Sequence, residues 1–108
     1  MISVTHFATA SGDFAERAQA ALEALAARPG YLRGSLGRSP DDPGQWLLVT
    51  EWANVGSYRR ALGGFDVKVR ATPLLAEALE LPTSFESLLE IAPGGASVIR
   101  ESDREPSA

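Results

Sequence analysis

The spacing of apolar positions changes period several times along the chain, and each change predicts an element. Ile2–Ala8 alternates around β-branched residues, as a strand with one face inward does. Phe14, Ala18, Ala21, Leu22 and Leu25 then recur on one helical face, within an Ala-rich stretch that favours helix. Asp13 followed by Glu16 has capping-box spacing, with Ser11 as a rival N-cap. Pro29-Gly30 ends this helix, because Pro cannot continue it and Gly tolerates a left-handed backbone. Tyr31–Arg38 reads as a second strand, in which Gly34 and Gly37 imply a bulge or a close approach by another group. Ser39–Gly44 is a loop by composition, and Gln45–Trp52 is a third strand. Asn54 is placed to cap a helix over Val55–Leu62 that Gly63-Gly64 ends. Phe65–Ala71 forms another helical turn, and Thr72-Pro73 supplies a cap and an N1 proline for a helix over Leu74–Leu81. Ser84–Ile91 is expected as a fourth strand, broken by Pro93-Gly94-Gly95. Ala96–Arg100 is a short fifth strand, and Glu101–Ala108 a frayed, solvated end.

The order strand, helix, strand, strand, helices, strand is the split βαβ pattern of an α+β, ferredoxin-like antiparallel sheet with helices on one face. One folded domain over residues 1–99, followed by a flexible tail over 100–108, accounts for the length. In the third strand Trp46, Leu48, Thr50 and Trp52 project one way, and Leu47, Val49 and Glu51 the other. Both rows are largely apolar, and a sheet apolar on both faces is covered on both. The chain's helices supply one cover. A second copy is expected to supply the other, giving a homodimer.

Composition narrows the functional classes. The chain has 108 residues, a net charge of −4, one histidine and no cysteine. The acidic balance argues against nucleic-acid or anionic-membrane partners. The absence of cysteine removes thiolate chemistry, and a single histidine rules out a histidine-rich metal site within one chain. The start, MISVTHF, lacks a signal-peptide pattern, and no apolar run is long enough to span a membrane. A soluble cytoplasmic protein is expected.

Candidate chemistry is sparse. His6 is the one side chain that ordinarily titrates near neutrality; a structural, hydrogen-bonded histidine is the commoner case on a strand. Arg59-Arg60, Lys68 and Arg70 would rim an anionic ligand or form a solvated helix face. Trp46 and Trp52 suit the sheet–helix boundary, where large aromatics ordinarily pack. Asp41-Asp42 fits a turn. No phosphate-binding glycine loop, nucleophile elbow or triad spacing occurs.

The entry Pro29-Gly30-Tyr31, the strand ending Glu51-Trp52, and Tyr58 in the next helix resemble the antibiotic biosynthesis monooxygenase family of dimeric α+β barrels. That resemblance implies an oxygenase without metal, haem or flavin, in which a polycyclic aromatic, polyketide-like substrate itself gives electrons to dioxygen. Trp52 matches the strand-three Trp of the quinone-forming members, Tyr58 their following Tyr, and Arg70 their later Arg. Two positions depart: the family Asn falls on Leu48, and a strand-two Tyr on Leu36. The haem-degrading members need an axial His and a Trp where this chain has Ala71 and Ala61, and an Asn near Thr5, so haem chemistry is disfavoured. The resemblance thus implies a pocket between sheet and helices for a small aromatic molecule, with Leu36, Leu48 and Trp52 binding it. His6, Tyr58 and Arg70 would be its catalytic side chains. A non-oxidative polyketide cyclase and a non-catalytic aromatic-ligand-binding module remain open alternatives.

Overall fold

The computed structural model describes residues 1–102. Strand β1 (Ile2–Ala8) leads to helix α1 (Phe14–Ala26), then strands β2 (Tyr31–Arg38) and β3 (Gln45–Trp52). Three short helices follow, α2 (Val55–Leu62), α3 (Phe65–Arg70) and α4 (Thr72–Leu75). Strands β4 (Ser84–Phe85), β5 (Leu89–Ile91) and β6 (Ser97–Ile99) complete the chain. The main sheet has the order β2-β3-β1-β4, and all its pairs are antiparallel. This is the expected mixed α+β architecture with helices on one face.

Burial alternates along the strands as a period of two requires. Ser3, Thr5 and Phe7 of β1 and Leu48, Thr50 and Trp52 of β3 are buried against the helices, and their neighbours in sequence are not. From α1 the row Phe14, Ala18, Ala21, Leu25 faces them. The alanines let this helix lie close to the sheet, and the aromatic rings fill the ends of the layer. Phe7, Phe14 and Trp46 stack in series, with centroids 5.0 and 5.2 Å apart. Val67, Ala71 and Leu74 close the core from α3 and α4.

Local signals account for most element ends. The Asn54 side chain accepts the Ser57 amide at 2.8 Å and caps α2, while Gly63 ends that helix. Gly34 is a close approach of the kind expected: a Cβ there would lie 2.6 Å from the Tyr31 hydroxyl and 2.7 Å from Leu22. The bulge sits two residues earlier, as a register shift against β3 between Tyr31 and Arg33.

Several expectations are corrected. Asp13 occupies the N-cap of α1 but makes no capping bond; it instead accepts from Ser11 and Arg17, so no capping box forms. The helix expected over Leu74–Leu81 is the single turn Thr72–Leu75. Its cap is Ala71, and the Thr72 hydroxyl reaches back to the Val67 carbonyl at 3.4 Å. Beyond it the chain runs along the edge of β1: the Leu79 amide bonds the His6 carbonyl, and the Val4 amide bonds that of Thr83, each at 2.8 Å. Backbone groups of that edge win this segment from the helix. The fourth strand expected over Ser84–Ile91 is two strands. Only Ser84–Phe85 joins the main sheet; Leu89–Ile91 pairs with Ser97–Ile99 in a separate hairpin. Gly94 and Gly95 make its turn with φ of +89° and +96°. The expected tail over 100–108 lies mostly outside the described residues.

Gly30 is the tightest point of the α1–β2 turn. It adopts φ +88°, and a Cβ there would fall 2.4 Å from both Cβ and Oγ of Ser57 on α2. Its carbonyl also accepts the Ala53 amide at 2.8 Å, so the backbone has no room to retreat. Gly30→Ala is expected to cost about 1–3 kcal/mol from the left-handed backbone alone. Urea denaturation of the variant checks this; a midpoint equal to wild type would refute it.

Candidate functional site

The residues singled out by the sequence fall on two faces of one sheet. Leu36, Leu48, Trp52 and Tyr58 all belong to the helix side. Trp52 is the centre of that group. Its ring stands edge-on to Tyr31 at 5.4 Å and tilted to Tyr58 at 5.5 Å. Its indole N–H donates to the Thr50 hydroxyl at 2.8 Å, which satisfies the one polar atom of a side chain only 1 % exposed. Tyr58, one helical turn along from Asn54, brings its hydroxyl 3.2 Å from the Ser3 hydroxyl on β1. Burial pushes the Tyr31 phenol above its ordinary range, so it is held neutral.

This interior is packed. Leu48 is 2 % exposed, and Trp52 and Tyr58 are both buried among core side chains. Surface cavities of about 360, 170 and 660 Å³ are lined by none of these residues, and Trp52 borders one of about 120 Å³. Arg70 lies on α3 and binds Glu23 of α1 at 2.9 Å; this contact, after that of Gln19, holds the Glu23 carboxyl below its ordinary range. The structure therefore brings Leu36, Leu48, Trp52 and Tyr58 into one cluster and leaves Arg70 at the surface on an ion pair.

His6 stands apart from all of these. Thr5 and Phe7 on either side of it are buried inward, so its imidazole lies on the outer face of the sheet. It borders a cavity of about 360 Å³ with Gly37, Ser39, Gln45 and Leu47. No single small molecule bound to this chain can touch both His6 and Tyr58 without passing through the sheet.

The outer face itself divides along the strands. Ile2, Glu51 and Arg33 form one row, Val4, Val49 and Ser35 the next, and His6, Leu47 and Gly37 the last. Arg33 binds Glu51 through both carboxylate oxygens and keeps that carboxyl below its ordinary range. A groove of about 660 Å³ separates this first row from the hairpin residues Leu89, Ile91 and Val98. Among the described residues no group of three or more acidic or histidine side chains is placed to hold a metal ion. No helix of the described residues is long and apolar enough to cross a membrane.

Sequence reasoning missed Ser3 and Thr50, the hydroxyl partners of Tyr58 and Trp52. A signal was present: both are polar residues at inward positions of strands, where a hydroxyl needs a buried partner. It also gave Tyr31 no role beyond the Pro-Gly-aromatic motif.

Comparison with known proteins bears on the family and the fold. A family model described as antibiotic biosynthesis monooxygenase matches residues 1–68. No curated protein matches by sequence. Among solved structures the chain is similar to SnoaB, a cofactor-independent oxygenase from Streptomyces nogalater, with 20 % identity and a TM-score of 0.64 over 96 % of each chain. A mutant of that oxygenase is 18 % identical, with a TM-score of 0.65 over 96 % of this chain and 93 % of the other. A conserved protein from Methanosarcina mazei is 19 % identical, with a TM-score of 0.61 over 77 % of this chain and 84 % of its own. At these identities the likeness establishes a shared fold.

Removing the indole of Trp52 would strip contacts from Tyr31 and Tyr58 and orphan the Thr50 hydroxyl. Trp52→Ala is expected to cost roughly 3–5 kcal/mol. Thermal unfolding checks it: a variant that melts like the wild type would mean that Trp52 is a wall of a binding site and not part of the core.

Proposed function

Because the chain belongs to the antibiotic biosynthesis monooxygenase family, we propose that it acts as a homodimeric monooxygenase on a planar aromatic, polyketide-like substrate, using dioxygen and no cofactor. The observation that supports this reading is the aromatic wall of Tyr31, Trp52 and Tyr58, with the Tyr58 hydroxyl held by Ser3. A fused-ring substrate would stack on Trp52, with Leu36 and Leu48 as apolar contacts. Entry would require the short helices to part from the sheet. Tyr58, whose oxygen accepts a hydrogen bond from Ser3, would donate its own to the substrate oxygen and assist loss of the substrate's acidic proton to water. The resulting anion is electron-rich enough to reduce dioxygen. A ring CH₂ becomes C=O, one oxygen atom enters the product, and the other leaves as water. Arg70 would stabilise the intermediate anion after releasing Glu23.

Leu36 and Leu48 favour a second reading, in which the chain binds an aromatic molecule without turning it over. Neither side chain can donate a hydrogen bond to a peroxide or phenolate, although the resemblance places polar groups at both positions. Slow oxygen uptake with an anthrone is therefore expected. Leu48→Asn should raise it, at a cost of about 1–3 kcal/mol in stability if the amide finds no partner. An oxygen electrode decides between the readings: binding without oxygen uptake, in wild type and Leu48→Asn alike, would reject the oxygenase.

The homodimer rests on the outer face. Ile2, Val4, Leu47 and Val49 form an apolar strip that no helix of the described residues covers, and Leu89, Ile91, Val98 and Ile99 of the hairpin are more than half exposed. A second copy would bury both surfaces in one isologous contact. The buried total should exceed about 1,000 Å². Analytical ultracentrifugation at micromolar concentration should show the dimer; a stable monomer would refute it.

A further inference from the structure

We infer that Tyr31 is a further substrate contact of the aromatic site: its phenol O–H is the donor that holds a keto oxygen on the edge of the bound ring. The inference rests on the reading of Trp52 and its neighbours as that site. It adds a residue to the site and a feature to the substrate, which becomes a flat aromatic ketone.

The bulge of β2 puts Tyr31 on the helix side. Tyr31 and Gly34 are three residues apart, so in a regular strand they would face opposite ways. The register shift between Tyr31 and Arg33 makes Leu32 an extra residue, and Leu32 is exposed. Tyr31 then pairs with Trp52 and Gly34 with Thr50, both inward-facing residues of β3. The Tyr31 ring stands edge-on to that of Trp52 at 5.4 Å and packs against the core.

Its hydroxyl completes a polar row. Gly34, Thr50 and Ser3 lie side by side across β2, β3 and β1. The two hydroxyls of this row are engaged: Thr50 accepts the Trp52 indole N–H at 2.8 Å, and Ser3 donates to the Tyr58 oxygen at 3.2 Å. Gly34 has no side chain, and the Tyr31 hydroxyl takes its place, 2.6 Å from where a Cβ would stand. Unlike Tyr58, the Tyr31 hydroxyl has no hydrogen-bond partner among the described residues. Burial raises its pKa above the ordinary phenol value, so it keeps its proton and can donate.

The neighbouring row supplies the rest of the argument. The next inward pair along these strands is Leu36 opposite Leu48, two residues or about 6.6 Å further on. A flat ring lying on those leucines and against Trp52 would bring one edge to the Tyr31 hydroxyl. Neither leucine can donate, so an acceptor oxygen at that edge would be buried unsatisfied without Tyr31. Tyr58 reaches the same indole from α2, and Tyr31 reaches it from β2. The two phenols therefore serve different edges of the ring.

The test uses the purified protein and two flat probes of one shape, fluorenone and fluorene, which differ in a single keto oxygen. Equilibrium dialysis should show that both bind. Tyr31→Phe keeps the ring beside Trp52; it should weaken fluorenone about tenfold and leave fluorene unchanged. The carbonyl infrared band of bound fluorenone should lie at lower frequency in the wild type than in this variant. Gly34→Ala, whose Cβ would displace the hydroxyl, should reproduce both effects. If Tyr31→Phe does not fold, Gly34→Ala and the infrared band decide. Unchanged binding of both probes with an unchanged carbonyl band would overturn the role of Tyr31 and leave the aromatic site standing. An equal loss for both probes would also overturn it, since Tyr31 would then act through packing alone. If neither probe binds the wild type, the aromatic site itself fails and this inference falls with it.

Discussion

Strand β3 is hydrogen-bonded along both edges, to β1 and to β2, and the register of this one strand fixes both faces of the protein. Its even-numbered side chains are the floor of the core. Its odd-numbered ones are the centre of the outer face. A slip of one residue would send Leu48 and Trp52 out to solvent and bring Glu51 in, so no alternative pairing keeps a core. Trp52 locks the register at one end. Its indole bonds Thr50 on the same strand, and its ring meets Tyr31 and Tyr58 from the flanking elements. Trp46 does the same at the other end, between Phe14 and the guanidinium of Arg38, 4.7 Å from the ring. The two tryptophans thus hold the strand by both ends on the same face.

Where the sequence was legible, the reason was local. β1, β2, β3 and α2 have the bounds that period, capping residue and glycine breaks predict, because each signal acts within a few residues. The chain after Ala71 was less legible for the opposite reason. Leu74–Leu81 has helical spacing, yet the edge of β1 needed backbone partners, and Leu79 and Thr83 supplied them. Nothing in the spacing of those residues reports the vacancy on a strand more than seventy positions earlier. The hairpin of β5 and β6 was half legible: Pro93-Gly94-Gly95 marked its turn, but the pairing that detaches it from the main sheet is a long-range choice.

The candidate site divides in the same way. The clustering of Leu36, Leu48, Trp52 and Tyr58 followed from strand parity and one helical turn. The separation of His6 from Tyr58 was also written in parity, since His6 falls between two residues that face the core. What parity could not show is that the cluster is packed, or that Arg70 is held by Glu23. Packing is decided by the helices that close over the sheet, and those helices are set by the long-range choices after Ala71.

The polar content of the interior then constrains the chemistry. Ser3, Thr5, Thr50 and Ser57 are buried hydroxyls, and Tyr58 adds a phenol among them. Hydroxyls can pass a proton along a chain, but they stabilise an anion only weakly compared with a cation or a convergent set of amide donors. The candidate cation Arg70 is spent on Glu23 at the surface, and the two positions where the resemblance places polar groups carry leucine. An interior of this kind offers apolar and aromatic contact and few donors for an anion. Where the family fold is kept while its donors give way to leucine, the gain in packing is felt throughout the core. The loss is confined to whatever anion the site must hold. Restoring one donor at Leu48 acts on both terms in opposite directions, so the position shows the chemistry of the site and the stability of the fold in competition.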